Sequence, residues 1–178
     1  EVNLPHTIVV HDFTGDGHLD LAGSEIGGST LSLFKNAADG TFPIRERVAV
    51  ELMNPGALAT GDVDGDGFFD LVTGTLTGSA VVLLGKGVGK FEHSSSYPTG
   101  VGVTALALAD MDADGQLDAL ATSPGEDAVS LLLGGDGVVR LVGFARVGVV
   151  APEVRGGPTM VGHPSFAPPA QIAGLYDG

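Results

Sequence analysis

The chain has no cysteine and no tryptophan, only two tyrosines (Tyr97 and Tyr176), and eight lysines and arginines against 22 aspartates and glutamates. The missing thiols exclude disulfide staples and thiolate-held metals. They leave the compartment open. A net charge of −14 with so few basic residues argues against a nucleic-acid or anionic-membrane surface. No apolar run reaches the roughly 18 residues of a membrane-spanning helix, so no membrane insertion is expected. The chain starts at Glu1 without a recognisable signal peptide, which reads as a mature or excised piece of something longer. Charged residues make up only 17% against 43% hydrophobic, a balance too apolar for a disordered chain, and 178 residues suffice for one domain's core.

What is present is acid gathered around glycine. DVDGDGFFD (62–70) places Asp62, Asp64, Asp66 and Asp70 within nine residues around Gly67, with Phe68 supplying a backbone carbonyl at position 7. Carboxylates at positions 1, 3, 5 and 9, a carbonyl at 7 and glycine at 6 form a ligand set for a hard cation that takes six to eight oxygens, as calcium does. At an effective dielectric near 20, two carboxylates about 4.5 Å apart repel by roughly 3 to 4 kcal/mol. Four held together should then cost on the order of 20 kcal/mol and splay the loop open unless a cation intervenes.

The pattern occurs three times. DFTGDGHLD (12–20) offers Asp12, Thr14, Asp16, the His18 carbonyl and Asp20, and DMDADGQLD (110–118) offers Asp110, Asp112, Asp114, the Gln116 carbonyl and Asp118. The offsets are 50 and 48 residues, and the loops hold 11 of the 22 acidic residues. Such a period marks a repeat architecture whose units bury their apolar faces on one another. Up to three Ca2+ ions are expected, the 12–20 site weakest because Thr14 replaces a carboxylate. Magnesium suits a loop of at least five protein oxygens less well. An EF-hand would need a bidentate Glu at position 12, where Gly23, Thr73 and Ala121 stand.

Around each loop run short apolar segments bounded by turns, which read as strands. VNLPHTIVV (2–10), GALAT (56–60) and VTALALA (103–109) enter the loops; LAG (21–23), LVTG (71–74) and ALAT (119–122) leave them. TLSLFK (30–35), SAVVLLG (79–85) and AVSLLLG (128–134) follow as third strands. Turns at Gly40, Gly89 and Gly137 then lead into IRERVAV (44–50), EHSSSYP (92–98) and RLVGFARVGV (140–149). The fold class expected is all-β: three four-stranded antiparallel propeller blades within residues 1–150, about 4–50, 51–99 and 100–149. Small residues place the first strand innermost, and polarity places the last outermost. Three and a half blades do not close a ring, so the expectation is a partial propeller or one completed by oligomerisation. Residues 151–178 carry five of the ten prolines and read as a degenerate fourth blade or a Pro-rich arm.

GDVDGDGFFDLVTG (61–74) and its two counterparts resemble FG-GAP or VCBS-type repeats, over about residues 4 to 150. GSE (23–25), GTL (74–76) and TSP (122–124) stand where the Gly-Ala-Pro part of the motif falls, which favours the broader VCBS-like branch. The resemblance implies calcium between the first and second strand of each blade. It further implies an extracellular or cell-surface, non-enzymatic module for adhesion or for binding a protein or glycan ligand. The paucity of aromatic residues weighs against a sugar-stacking lectin. The alternatives are a self-assembling structural protein, a homo-oligomer or fibre joined through open sheet edges, and an accessory domain of a secreted hydrolase. The histidines (His6, His11, His18, His93, His163) are scattered. Ser94–Ser96 beside His93 lack an orienting acid, and GKGVGK (85–90) has no helix to complete a phosphate site.

Overall fold

The computed structural model describes residues 4–48, 54–134 and 140–145. The expected turn at Gly137, the last residues of the third unit (146–149) and the segment 151–178 lie outside them.

Among the described residues twelve strands form three antiparallel meanders of four. The first sheet contains β1 (Leu4–His11), β2 (Asp20–Ile26), β3 (Leu31–Lys35) and β4 (Ile44–Val48). The second contains β5 (Pro55–Gly61), β6 (Asp70–Thr75), β7 (Ser79–Gly85) and β8 (Phe91–Pro98). The third contains β9 (Ala105–Ala109), β10 (Asp118–Ser123), β11 (Ala128–Leu133) and β12 (Arg140–Ala145). Within each sheet spatial order follows chain order, as short polar turns between alternating strands require. Irregularities recur at matching places. The first strand slips between Pro5 and Ile8 and between Pro55 and Leu58, and the last pairing slips between Val82 and Leu83 and between Leu131 and Leu132.

The sheets stack face to face, and pleating assigns their faces. In the second sheet Leu71, Val81 and Leu83 point one way and meet Ala22, Leu31 and Leu33 of the first sheet. Their neighbours Val72, Ala80 and Val82 point the other way and meet Ala119 and Leu132 of the third. SAVVLLG is thus apolar at consecutive positions because both its faces are covered. The first strands lie side by side, β5 packing against β1 and β9. The buried Ser24 hydroxyl donates to the Gly56 carbonyl across the first junction. Gly74 is needed at the second, since a Cβ there would overlap the side chain of buried Val103. Among the described residues the three sheets do not close a ring.

One unexpected element joins β10 to β11, a 3-10 turn at Pro124–Glu126 that ends on left-handed Asp127 (φ 49°). Proline at its start and an Asp tolerant of positive φ account for it.

Leu83 is fully buried between the first two sheets, whereas Ile8 is 62% exposed. Leu83→Ala is expected to lower unfolding free energy by about 2 to 5 kcal/mol in urea titrations, and Ile8→Ala by no more than about 0.5 kcal/mol.

Candidate metal centre

Each acidic loop bridges the first and second strands of its sheet, and its geometry follows from which backbone N–H groups the carboxylates accept. Glycine at position 6 takes positive φ in every loop (Gly17 88°, Gly67 88°, Gly115 89°). Position 4 is left-handed as well: Gly15 (76°), Gly65 (74°) and, at greater steric cost, Ala113 (62°). These turns aim the N–H groups inward. Asp62 accepts from Gly65 N–H (2.8 Å) and Gly67 N–H (3.0 Å), and Asp110 from Gly115 N–H (3.0 Å). Asp12 accepts from Gly15, Asp16 and Gly17 N–H and from the Thr14 hydroxyl. At position 5, Asp16, Asp66 and Asp114 each accept from the N–H two residues on, those of His18 (2.9 Å), Phe68 (2.9 Å) and Gln116 (2.8 Å).

The last aspartate of each loop is fully buried. One oxygen of Asp70 accepts from Val63 N–H and the other from Gly85 N–H, both at 2.7 Å. Asp118 does the same with Met111 (2.6 Å) and Gly134 (2.8 Å), and Asp20 with Thr14 (3.1 Å) and Asn36 (2.9 Å). The second donor always sits at the end of the third strand, so this residue clips the loop to the sheet as well as facing the acidic cluster. Sequence reasoning assigned it only a ligand role. The 49-residue spacing of Asn36, Gly85 and Gly134 was the available signal.

Two loops bring carboxylates together. Oxygens of Asp62, Asp64 and Asp70, and those of Asp110, Asp112 and Asp118, all lie within 4.8 Å of one another in their groups. Ligands of one ion at about 2.3 to 2.6 Å sit up to about 5 Å apart, so each triad fits around a single divalent cation. Asp66 instead has an oxygen 3.6 Å from Lys86 Nζ, and Asp114 is outside its triad. Among the described residues Asp12, Asp16 and Asp20 form no such group, Thr14 holding the place of the third carboxylate.

Ionisation follows the local fields. Burial, reinforced by the charges of Asp64 and Asp66, pushes the Asp70 carboxyl up to about 6 despite its two N–H donors. Asp112 is also raised, by desolvation and then by Asp114, Asp118 and Asp110, against one backbone donor. At Asp12 desolvation is outweighed by three N–H donors and the Thr14 hydroxyl, and its pKa falls below the usual carboxylate value.

The model of the FG-GAP-like repeat matches residues 12–73 and again residues 62–121. The chain belongs to the FG-GAP-like repeat family. Each FG-GAP-like match runs from one acidic loop into the strand beyond the next, and the loop 62–70 belongs to both. No curated protein matches the chain.

Two outcomes follow for the FG-GAP-like loops. Ala113→Gly should raise stability by about 1 kcal/mol in urea unfolding by removing a left-handed alanine, and Gly65→Ala should lower it by a similar amount. For Asp70, the folded carboxyl binds its proton more tightly than the unfolded one, whose pKa is 3.8. In chelator-treated protein its contribution to stability is therefore present at low pH and lost as pH rises through about 6. Chelator-treated melts from about pH 7 down to pH 5 should show wild type gaining on the order of 1 kcal/mol relative to Asp70→Asn.

Proposed function

We propose that this chain is a non-enzymatic, calcium-stapled β-propeller module of an extracellular or cell-surface protein, each sheet serving as a blade, and that it binds a protein or glycan ligand. The observation that carries the reading is the pair of aspartate triads in equivalent loops, each compact enough for one ion. Family membership supports the propeller arrangement and the structural use of the metal. A cation held there neutralises carboxylates that burial and mutual repulsion already disfavour, and it joins the loop to the clip aspartate beneath it. Because Asp70 and Asp118 are fixed by two N–H donors each, only the loop's outer carboxylates need ordering on binding. Calcium, with its tolerant coordination, suits such a partly flexible oxygen set better than magnesium does.

A second reading, self-association, rests on the two end faces. Ile8 is 62% exposed where its counterpart Leu58 is 5%. At the other end Leu120 and Leu131 are half-buried where Val72 and Val82 are buried against the third sheet. A second copy meeting these faces head to tail would repeat the packing already used between sheets.

Calcium titration by calorimetry, with thermal melts and light scattering on the same samples, tests both readings. Calcium is expected to bind at the sub-millimolar to millimolar level typical of extracellular modules and to raise the melting temperature, magnesium much less. Asp64→Ala should remove one of the two tighter ions while leaving the Asp70 clip. A melting temperature indifferent to chelation would sink the metal reading. A mass independent of concentration would sink self-association.

A further inference from the structure

The junction between the first and second sheets carries a cleft of about 460 Å³ whose floor is shared with the acidic loops, through Asp12, Thr14, Gly15 and Gly67, and whose remaining walls are mainly aromatic rings and lysines. Equivalent positions of the next junction supply an internal control. His11, Phe13, Phe68 and Phe69 face each other across the first junction, and Gly61, Val63, Gln116 and Leu117 stand in their places at the second. There the space above Gly61 is filled by Leu117 and Leu108, so the repeat packs this corner without any aromatic ring.

At the first junction the rings are ordered. His11 stacks on Phe69 with centroids 3.5 Å apart, and Phe13 meets His11 and Phe91 edge-on at 5.6 and 5.7 Å. The Phe68 ring lies over Gly87, where a Cβ would approach it to 2.9 Å. Phe68 nevertheless remains 48% exposed and Phe69 37%, an apolar wall open to solvent. The turn opposite is pinned by Gly89 N–H donating to the Phe13 carbonyl at 2.8 Å.

The second observation is charge. On a chain of net charge −14 the three lysines, Lys35, Lys86 and Lys90, all gather here. Lys86 and Lys90 line the cleft, and Lys35 lies against Gly89 behind it. Lys35 is held by Glu46 at 2.8 Å, but the pairs of the two lysines that line the cleft are looser and more exposed: Lys86 to Asp66 at 3.6 Å, Lys90 to Glu46 at 3.3 Å. Exposed pairs of this kind contribute little, so an incoming anion competes for the ammonium groups at small cost.

The geometry points to a binding site for an aromatic carboxylate, its ring on Phe68 and Phe69 and its carboxylate between Lys86 and Lys90. A ring face without charge leaves the lysines unused, and a cationic ring is repelled by them. The group can arrive as a free aromatic acid or as a phenylalanine beside an acidic residue in a peptide.

The test titrates the whole calcium-loaded chain with 3-phenylpropionate, with its neutral isostere 3-phenylpropanamide, and with the capped tripeptide Glu-Phe-Glu, followed by NMR. The acid is expected to saturate in the millimolar range, to bind about tenfold more tightly than the amide, and to shift the ring signals of Phe68, Phe69 and His11. Phe68→Ala and Lys86→Gln should each weaken it several-fold while the melting temperature stays close to wild type. Tighter binding of the tripeptide assigns the group to a protein partner, and tighter binding of the free acid assigns it to a small molecule. Either supports the site. Equal affinity for acid and amide in wild type, shifts that avoid these rings, or no saturation by either carboxylate probe would overturn it, whether or not the variants fold.

Discussion

The architecture depends on a buried carboxylate that accepts two backbone N–H groups from different parts of its unit. Asp20, Asp70 and Asp118 each take one donor from the start of the acidic loop and one from the end of the third strand. A buried charge is tolerable only when hydrogen-bonded, and these bonds use that necessity to fix the loop over its sheet. Everything above the clip, the left-handed turns and the inward N–H groups, is then held in one place relative to the strands below.

The same constraint explains how sheet stacking and loop geometry support each other. The third strand that supplies the second donor also carries the inter-sheet core, Leu83 on one side of the second sheet and Val82 on the other. Gly85 serves both tasks, because a Cβ there would overlap the Phe69 carbonyl while its N–H reaches Asp70. Packing and acidic loop therefore meet at one residue.

Much of this was legible in the residues. The period of 48 to 50, the apolar runs and the turn glycines located the twelve strands and their meander order. The loops were legible as oxygen clusters because alternate acids around Gly67 have few other uses. What charge counting left out were the N–H donors: seven are spent on Asp12, Asp62 and Asp70 alone. Those bonds offset part of the repulsion expected to splay a loop. Nor does spacing along a strand show that Asp66 turns toward Lys86, which depends on how two turns of one sheet come together, or that His11 and Phe69 stack, which depends on where the next sheet is laid. The 3-10 turn at Pro124–Glu126 was readable only as a turn, since its type is set by dihedral angles that several sequences share.

The two family matches overlap on the loop 62–70, so each of them spans the joint between two successive sheets. Each sheet has its own four strands and acidic loop, and the second sheet offers the third the same rows that the first offers the second. Unequal recombination between any two loops would thus alter the number of units without creating a new kind of joint. Copy number is the variable this design leaves free, while the aromatic corner at 11, 13, 68 and 69 marks where one joint differs from the other.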